Sequence, residues 1–329
     1  MPIEPAPPAR EGGAAARPAP FAYVLMAHTD PARVLAAVRR TRSLSPSAGV
    51  LVRHTRGPGF LREEDLAALG AAQLHSRVRV RWGTWSLVAA VLEALGEAER
   101  RWQPAATVVV SGQDHPVLDL SAWEERLRAA GTDALLRPDP REYPERYASC
   151  WHPVPGTGAA PPCWCRAAAR ASDVLAGRAG RGPLQFAGER TLLLRHARTG
   201  GAPPVPPGLR YRKGSLWATL SARAVERVLA AARDEPLRRF FASTLLPDES
   251  FVHTVLRAQA DLRVVDGPTT LPFFPPGGAS HPRSVVLADL DAVRRSGAAF
   301  TRKVVSPDSD AFVRAVDALV DRERSAPAR

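Results

Sequence analysis

The tripeptide Pro247-Asp248-Glu249 places two carboxylates at the start of an amphipathic run that continues to Leu256. A carboxylate in the first turn of a helix lies near free backbone N–H groups and the positive end of the helix dipole, so it stays ionised and oriented. Glu249 is therefore the candidate for a catalytic base. The alternative is structural, with Asp248 as the N-cap of a helix and Glu249 as a partner of its dipole.

Polar residues also follow predicted strands, or begin predicted helices, elsewhere along the chain. The segments are 21–31 with His28 and Asp30; 79–86 with Trp82; 108–116 with Asp114; 213–221 with Lys213, Ser215 and Trp217, upstream of Glu249; and 281–285 with Arg283, followed by 300–303 with Lys303. No single segment is specific, because such short sequences occur by chance. Their order along the chain is more specific.

Together these segments resemble the core-2/I-branching β-1,6-N-acetylglucosaminyltransferase family, which is glycosyltransferase family 14 and includes the peptide O-xylosyltransferases. The similarity covers about residues 21 to 322. It implies an α/β fold of the GT-A type, with a mainly parallel central sheet and helices on both faces. It also implies inverting transfer of a sugar, N-acetylglucosamine, from a UDP-sugar donor to an acceptor hydroxyl. One departure is the second strand, which ends in Arg53-His54 where relatives commonly have an Asp.

The resemblance implies roles for eight residues. They are Glu249 as general base; His28, Asp114, Arg283 and Lys303 as ligands of the nucleotide sugar; and Lys213, Ser215 and Trp217 as contacts to the sugar or acceptor. In this family protein cations neutralise the diphosphate, so no cofactor and no metal is expected. The Asp-x-Asp sequences at 289–291 and 308–310 lie at predicted helix starts, where Asp is expected as a cap.

Each assignment has an alternative. His28 and Asp114 could serve turns, Trp217 could be core, and Arg283 and Lys303 could belong to a solvated basic surface. The function has alternatives too: transfer of xylose or another sugar by the same fold, or a non-catalytic relative that binds a nucleotide or carbohydrate. Retention of a candidate base argues against the non-catalytic relative.

The composition of the chain is strongly basic. Its 329 residues are 45% hydrophobic, which suffices for a sizeable core, and the formal net charge is +12. The arginines are spread along every segment, so no nucleic-acid partner is expected. Of 45 basic residues only Lys213 and Lys303 are lysine, and both lie in motif segments. An ammonium group is a compact charge suited to a phosphate oxygen.

The sequence also bears on compartment and metal binding. No apolar stretch of about 18 residues is present, so neither a signal peptide nor a membrane span is expected. Animal relatives are membrane-anchored Golgi proteins, so this suggests a soluble cytoplasmic form of bacterial type. An odd count of three cysteines fits a reducing compartment. A metal set of Cys150, His152, Cys163 and Cys165 is disfavoured by its Cys-x-Cys spacing.

Periodicity predicts alternating strands and helices in the first half of the chain. The strands are 21–28, 49–54, 77–81 and 106–111, and the helices are 31–42, 61–70, 86–102 and 121–130, the last with a capping box of Ser121 and Glu124. This alternation predicts a parallel sheet with ligands at the carboxyl ends of its strands.

The remainder is less regular. The middle, 138–212, is predicted to hold loops, a helix around 165–177 and surface that faces the acceptor. Beyond it we expect strands at 215–220 and 262–265 and helices at 221–233, 236–244 and 307–321, besides the helix of Glu249. The domain organisation predicted is a disordered segment 1–20, one domain over 21–322 and a disordered tail 323–329.

Overall fold

The computed structural model describes residues 19–54, 60–154, 163–175, 182–187, 191–198, 205–277 and 281–326. In these ranges the strands are β1 Phe21–Ala27, β2 Gly49–His54, β3 Ala72–Leu74, β4 Ala106–Ser111, β5 His115–Pro116, β6 Ala134–Leu136, β7 Pro138–Asp139, β8 Ser149–Pro153, β9 Leu184–Ala187, β10 Thr191–Ala197, β11 Lys213–Gly214, β12 Thr219–Ser221, β13 Val264–Asp266, β14 Thr270–Pro272 and β15 Phe300–Arg302.

The helices surround these strands. They are α1 Pro31–Leu44, α2 Glu63–Ala68, α3 Trp85–Trp102, α4 Leu120–Ala129, α5 Pro144–Tyr147, α6 Cys163–Leu175, α7 Ala222–Ala231, α8 Glu235–Ala242, α9 Phe251–Arg257, α10 Leu290–Arg295 and α11 Asp310–Ser325, with 3₁₀ turns at Pro247–Glu249 and Leu287–Asp289. Residues 1–18 and 327–329, where disorder was predicted, lie outside the described residues. The helix α11 extends into the predicted tail, which therefore begins too early at 323.

Seven strands form the central sheet in the order β13-β6-β12-β4-β1-β2-β3. Only β12 runs antiparallel to its neighbours β4 and β6; the other pairings are parallel. The chain proceeds outward from β1 to β2 and β3 and then returns to place β4 on the other side of β1. The carboxyl ends of β1 and β4 therefore flank a topological switch point, where open α/β sheets bind ligands. The predicted α/β class with a mainly parallel sheet is confirmed.

Helices cover both faces of this sheet, because side chains of a strand alternate between its faces. On β1, Phe21, Tyr23 and Leu25 belong to the core cluster that includes residues of α1, α4 and α11. Ala22 and Val24 belong to a second cluster, with residues of α3, α7 and α9. All seven residues of β1 are buried, as expected for a central strand between two layers.

Two local predictions in the first half are wrong. Residues 77–81 form no strand; the strand that pairs with β2 is β3, which begins earlier, while Val78 and Val80 pack against the core without joining the sheet. The capping box of α4 is also absent. Asp119 caps this helix by accepting from the Ser121 N–H, and Glu124 instead accepts a hydrogen bond from the Tyr23 hydroxyl.

The described part of the middle region contains more secondary structure than predicted. Strands β8, β10 and β9 form an antiparallel sheet, and α6 matches the helix expected around 165–177. The predicted strand 215–220 is mostly wrong: only Thr219 and Leu220 of it lie in a strand, β12, while β11 precedes it at Lys213–Gly214. In the described part of the chain, no helix is long and apolar enough to cross a membrane.

Candidate functional site

Glu249 lies in the 3₁₀ turn Pro247–Glu249, before α9 and not in its first turn. Ser250 is the N-cap residue of α9, so Asp248 is not the cap either. Leu246, with a positive φ of 52°, begins the turn, and its N–H donates to the Gly83 carbonyl over 3.1 Å. The orientation of Glu249 therefore depends on its side-chain partners more than on a helix dipole.

Those partners are two cations. The Glu249 Oε2 atom accepts from Arg146 Nη1 over 2.7 Å and lies 3.4 Å from Lys213 Nζ, which is also 2.9 Å from Asp139 Oδ2. Glu249, Arg146, Lys213 and Asp139 are called the Glu249 cluster below. The two cationic side chains are 12% and 13% exposed, whereas Glu249 keeps 31% of its side chain open to solvent. The carboxylate is thus held by two cations and still accessible to solvent.

A cleft of about 210 Å³ adjoins the Glu249 cluster, with Asp139 and Lys213 in its wall. Tyr147 and Tyr211 also line the cleft, and their rings are in contact, with centroids 4.3 Å apart. Burial raises the pKa of Tyr211 to about 12, and the charge of Glu249 contributes to the rise. A polar molecule in this cleft would meet aromatic faces and charged groups beside the candidate base.

Asp248 is buried and, in the described part of the chain, lacks the ion pairs of its neighbour Glu249. Its side chain is buried, and its Oδ1 atom has no hydrogen-bond partner among the described residues. Burial, followed by the charge of Glu249, raises the pKa of Asp248 to about 7. Two adjacent carboxyls are thereby divided into a buried one that holds its proton to near neutrality and an accessible one that is ion-paired.

Asp248→Asn is expected to flatten the dependence of stability on pH. Because folding raises the pKa of Asp248 to about 7, the folded state holds its proton more tightly than the unfolded chain does. This carboxyl therefore favours folding below about pH 4, and the contribution is lost as pH rises to about 7, by a few kcal/mol in order of magnitude. Urea unfolding across that range checks this, with exposed Asp308→Asn as control. An unchanged pH slope in Asp248→Asn would contradict it.

A second group of residues gathers around Arg302, which the sequence did not single out. The Arg302 Nε atom lies 3.5 Å from Asp114 Oδ1, and its Cζ lies 4.5 Å from the centre of the Trp217 ring. These three residues are called the Arg302 cluster. The Arg302 side chain is only 12% exposed, and burial lowers its pKa. Trp217, proposed as a sugar contact, is thus stacked beneath a guanidinium and half-buried.

Asp114 is enclosed by its own protein. It is 1% exposed, and its Oδ2 atom accepts from the Ser111 N–H and the Thr270 hydroxyl over 3.1 and 3.0 Å. Burial raises the pKa of Asp114 to about 6 despite the nearby Arg302. The bond to Ser111 matches the turn alternative for this residue. Its direct contact with a nucleotide stays a prediction; what the geometry gives it is a role in positioning Arg302.

Arg137 links the two clusters. It follows β6 directly, and burial lowers its pKa, while Asp139, Glu249 and Arg302 all contribute to its electrostatic environment. The Arg137 carbonyl also accepts a hydrogen bond from the Ser215 N–H. Ser215 lies between Lys213 of the Glu249 cluster and Trp217 of the Arg302 cluster. Arg137 thereby connects the Glu249 cluster, through Asp139 and Glu249, with the Arg302 cluster, through Arg302.

The segments of Arg283 and Lys303 meet through their backbones. The Val285 N–H donates to the Lys303 carbonyl over 2.8 Å, and the Lys303 N–H approaches the Arg283 carbonyl at 3.4 Å. Burial, followed by the charge of Arg302, lowers the pKa of Lys303. The convergence of these two segments, expected if both serve one ligand, is present at the backbone level.

The head group of Arg283 is occupied by a carboxylate. Its two terminal nitrogens each donate to Asp289 over 2.7 Å, and its Cζ stacks 5.1 Å from the Phe273 ring centre. Asp289 also accepts from the Val286 N–H, in agreement with its predicted role as a cap. In this conformation an anionic ligand would have to displace Asp289 from Arg283.

His28 follows β1 at the switch point and is exposed. Beside it, the Gly112 N–H donates to the Met26 carbonyl over 3.0 Å, and the Gln113 carbonyl accepts from the Val304 N–H over 2.8 Å. The carboxyl edge of the sheet is therefore tied to the segment of Lys303. Further along, the rings of Trp82 and His281, from two other motif segments, lie 5.8 Å apart.

Sequence reasoning missed the arginines of both clusters. Arg146 follows a weak helix signal in the Pro- and Arg-rich middle, and Arg137 and Arg302 resemble the other arginines of the chain. The one available signal for Arg302 was its place beside Lys303 in a motif segment. These residues nevertheless supply most of the positive charge that faces Glu249 and Trp217.

Comparison with known proteins adds no relative. No protein-family profile matches this chain, and a search of curated proteins finds no match. The resemblance to family 14 glycosyltransferases therefore rests on the motif segments alone.

Proposed function

We propose that this protein is an inverting glycosyltransferase of the GT-A type that moves a sugar, N-acetylglucosamine, from a UDP-sugar to an acceptor hydroxyl. The observation that carries the proposal is the Glu249 carboxylate, held by Arg146 and Lys213 yet 31% exposed beside a polar cleft. The motif resemblance and the switch point at the ends of β1 and β4 support it.

Glu249 acts as the general base. In an inverting transfer, the acceptor oxygen attacks the anomeric carbon from the face opposite the diphosphate, and the base takes its proton as the new bond forms. Arg146 and Lys213 keep the carboxylate aligned before the acceptor arrives. The cleft lined by Tyr147 and Tyr211 is the proposed acceptor side, because its aromatic faces suit a sugar or another hydroxyl compound.

Protein cations stabilise the diphosphate that leaves. Lys303 and Arg302 are adjacent on one segment, and Arg283 lies beside them through backbone hydrogen bonds. Each charge-assisted contact to a phosphate oxygen is about twice as strong as a neutral hydrogen bond. Arg283 would exchange Asp289 for phosphate when the donor binds, and His28 at the switch point would contact the nucleotide.

The first experiment is a panel of UDP-sugars with the purified protein. We expect UDP-N-acetylglucosamine to raise the unfolding temperature and to be hydrolysed slowly without acceptor. The same result with UDP-xylose alone would favour the xylosyltransferase alternative. Protection without hydrolysis or transfer for any sugar would favour a non-catalytic binding protein, and no protection by UDP or any UDP-sugar would contradict the proposal.

Lys303→Ala is expected to weaken UDP binding by about tenfold or more, since a hydrogen bond to a charged group contributes about 1.5–3 kcal/mol. Isothermal titration with UDP measures this. Arg295→Ala, which removes an exposed cation from α10, is the control and should bind as the wild type does. Equal dissociation constants for Lys303→Ala and the wild type would remove Lys303 from the donor site.

Transfer is expected to continue after exhaustive EDTA treatment, because protein cations occupy the place of a metal at the diphosphate. Asp289 caps a 3₁₀ turn and pairs with Arg283, and so has other partners than a metal ion. The assay compares chelated enzyme with and without added Mn²⁺. Loss of activity that Mn²⁺ restores would make this a metal-dependent transferase.

A further inference from the structure

The antiparallel pairing of β8 with β10 collects a thiol and two imidazoles on one face of the small sheet. Cys150 is paired with His196, and His152 lies two residues from Cys150 on the same face. One ligand atom from each of these three residues lies within 4.8 Å of the other two. The sequence could not indicate this set, because His196 is 46 positions from Cys150 along the chain.

The two imidazole rings lie against each other. They stack with centroids 5.0 Å apart and an angle of 12° between their planes. The Nδ1 atom of His196 lies 3.0 Å from the Ala197 carbonyl oxygen, which can only accept a hydrogen bond. Nδ1 therefore carries the proton, and Nε2 presents its lone pair. A backbone carbonyl that fixes the tautomer in this way is the usual companion of a histidine that binds a metal.

We propose that Cys150, His152 and His196 bind one zinc-type ion. Thiolate and imidazole are the ligands that Zn²⁺ prefers, and three protein ligands leave a fourth position for water or an external group. Zn–N bonds of about 2.0–2.1 Å and a Zn–S bond of about 2.3 Å, at tetrahedral angles, place ligand atoms about 3.3–3.6 Å apart. The three ligand atoms lie within 4.8 Å of one another. Side-chain rotations that move these atoms by about an ångström bring them to that spacing.

The surroundings suit an ion that enters from solvent. His152 and His196 are exposed and Cys150 is half-buried. Arg198 lies close enough to Cys150 to interact with it electrostatically, and its Nε donates to the Tyr147 carbonyl over 2.6 Å. This fixed positive charge opposes a bare cation, so the site requires the thiolate of Cys150 to offset it.

The opposite face of β8 is packed against the catalytic side. The Trp151 N–H donates to the Ser243 carbonyl over 2.9 Å, and its Nε1 donates to the Glu145 carbonyl over 3.3 Å. Glu145 precedes Arg146, the partner of Glu249, on α5. An ion that joins β8 to β10 would therefore lie on the face of β8 opposite the contacts to Ser243 and Glu145. This ion would be separate from the proposed diphosphate site.

The test uses the full chain, stripped with EDTA under reducing conditions and then freed of chelator. Titration with Co²⁺, followed by displacement with Zn²⁺, is expected to give one ion per chain and a sulfur-to-cobalt charge-transfer band. Cys150→Ser should abolish that band. His152→Gln and His196→Gln should each weaken Zn²⁺ binding by at least about 10–100-fold, the loss typical of even a supporting residue at a metal site.

Matched controls are Cys165→Ala, a buried thiol that packs against Ala169 and Leu192, and His75→Gln, an exposed histidine near α2. Both should bind Zn²⁺ as the wild type does. Circular dichroism of each metal-free variant establishes that it is folded. Absence of stoichiometric binding, or binding that survives substitution of Cys150 and of both histidines, would overturn the site. Neither result depends on transferase activity.

Discussion

Replacing Glu249 by glutamine is expected to lower the rate of sugar transfer by about 10²–10⁴-fold while UDP affinity stays near the wild-type value. Glutamine keeps the shape of the side chain but cannot accept the proton of the acceptor hydroxyl. The proposed UDP contacts are Arg283, Arg302 and Lys303, none of which is paired with Glu249, so UDP affinity should not respond. Initial rates of transfer and titration with UDP measure the two effects on one preparation.

The control for this variant is Glu226→Gln, which removes an exposed carboxylate from α7. Because Glu249→Gln also leaves Arg146 and Lys213 without their common partner, urea unfolding is measured for both variants. A folded Glu249→Gln enzyme with a near wild-type rate would end the assignment of Glu249 as base. A loss of UDP affinity as large as the loss of rate would instead indicate a disordered site.

Arg302→Met is expected to destabilise the fold by about 3–5 kcal/mol, the usual cost of leaving a buried charge unpaired. Asp114 is 1% exposed, and Arg302 is the cation beside it. Because the pKa of Asp114 is raised to about 6, its carboxyl is charged at about pH 8, where the loss should be largest. Removal of the arginine raises that pKa further, so the destabilisation should shrink as pH falls from the raised pKa of the variant to about 6, and should change little at lower pH.

A double-mutant cycle measures the interaction energy between Arg302 and Asp114. Asp114→Asn removes the buried charge, so Asp114→Asn combined with Arg302→Met should lose less stability than the sum of the two single changes. Arg295→Met, at an exposed position, should change the free energy of unfolding by less than about 0.5 kcal/mol. Additive losses in the cycle would show that Arg302 and Asp114 are not coupled.

The central strands could be predicted closely from sequence. β2 and β4 have the predicted bounds, because each is a continuous apolar run bordered by turn or helix signals. The prediction of a strand at 77–81 was wrong because Val78 and Val80 alternate with arginines, a pattern typical of an edge strand. The strand that actually pairs with β2 is β3, which is only three residues long. The sheet of β8, β9 and β10 was missed because its short strands lie in a region rich in Pro and Gly, which is typical of loops.

The candidate site was predictable in parts. Lys213, Ser215 and Glu249 were identified because their segments carry recognisable turn and helix signals. The structure brings Lys213 and Glu249 into contact, and Ser215 follows two residues after Lys213. The arginines that complete the clusters could not be found, since this chain uses arginine at nearly every cationic position and one more gives no contrast. His196 joins Cys150 only through a register of paired strands, which no local pattern encodes.

The scarcity of lysine has a consequence for chemical labelling. Apart from the α-amino group, Lys213 and Lys303 are the only primary amines of the chain, and each belongs to one side of the proposed reaction. Lys213 is held between Asp139 and Glu249, whereas burial lowers the pKa of Lys303 and so increases its share of the nucleophilic neutral amine. A mild acylating reagent should therefore modify Lys303 before Lys213. Because each lysine marks a different side, the mass of two peptides would report donor and acceptor occupancy separately.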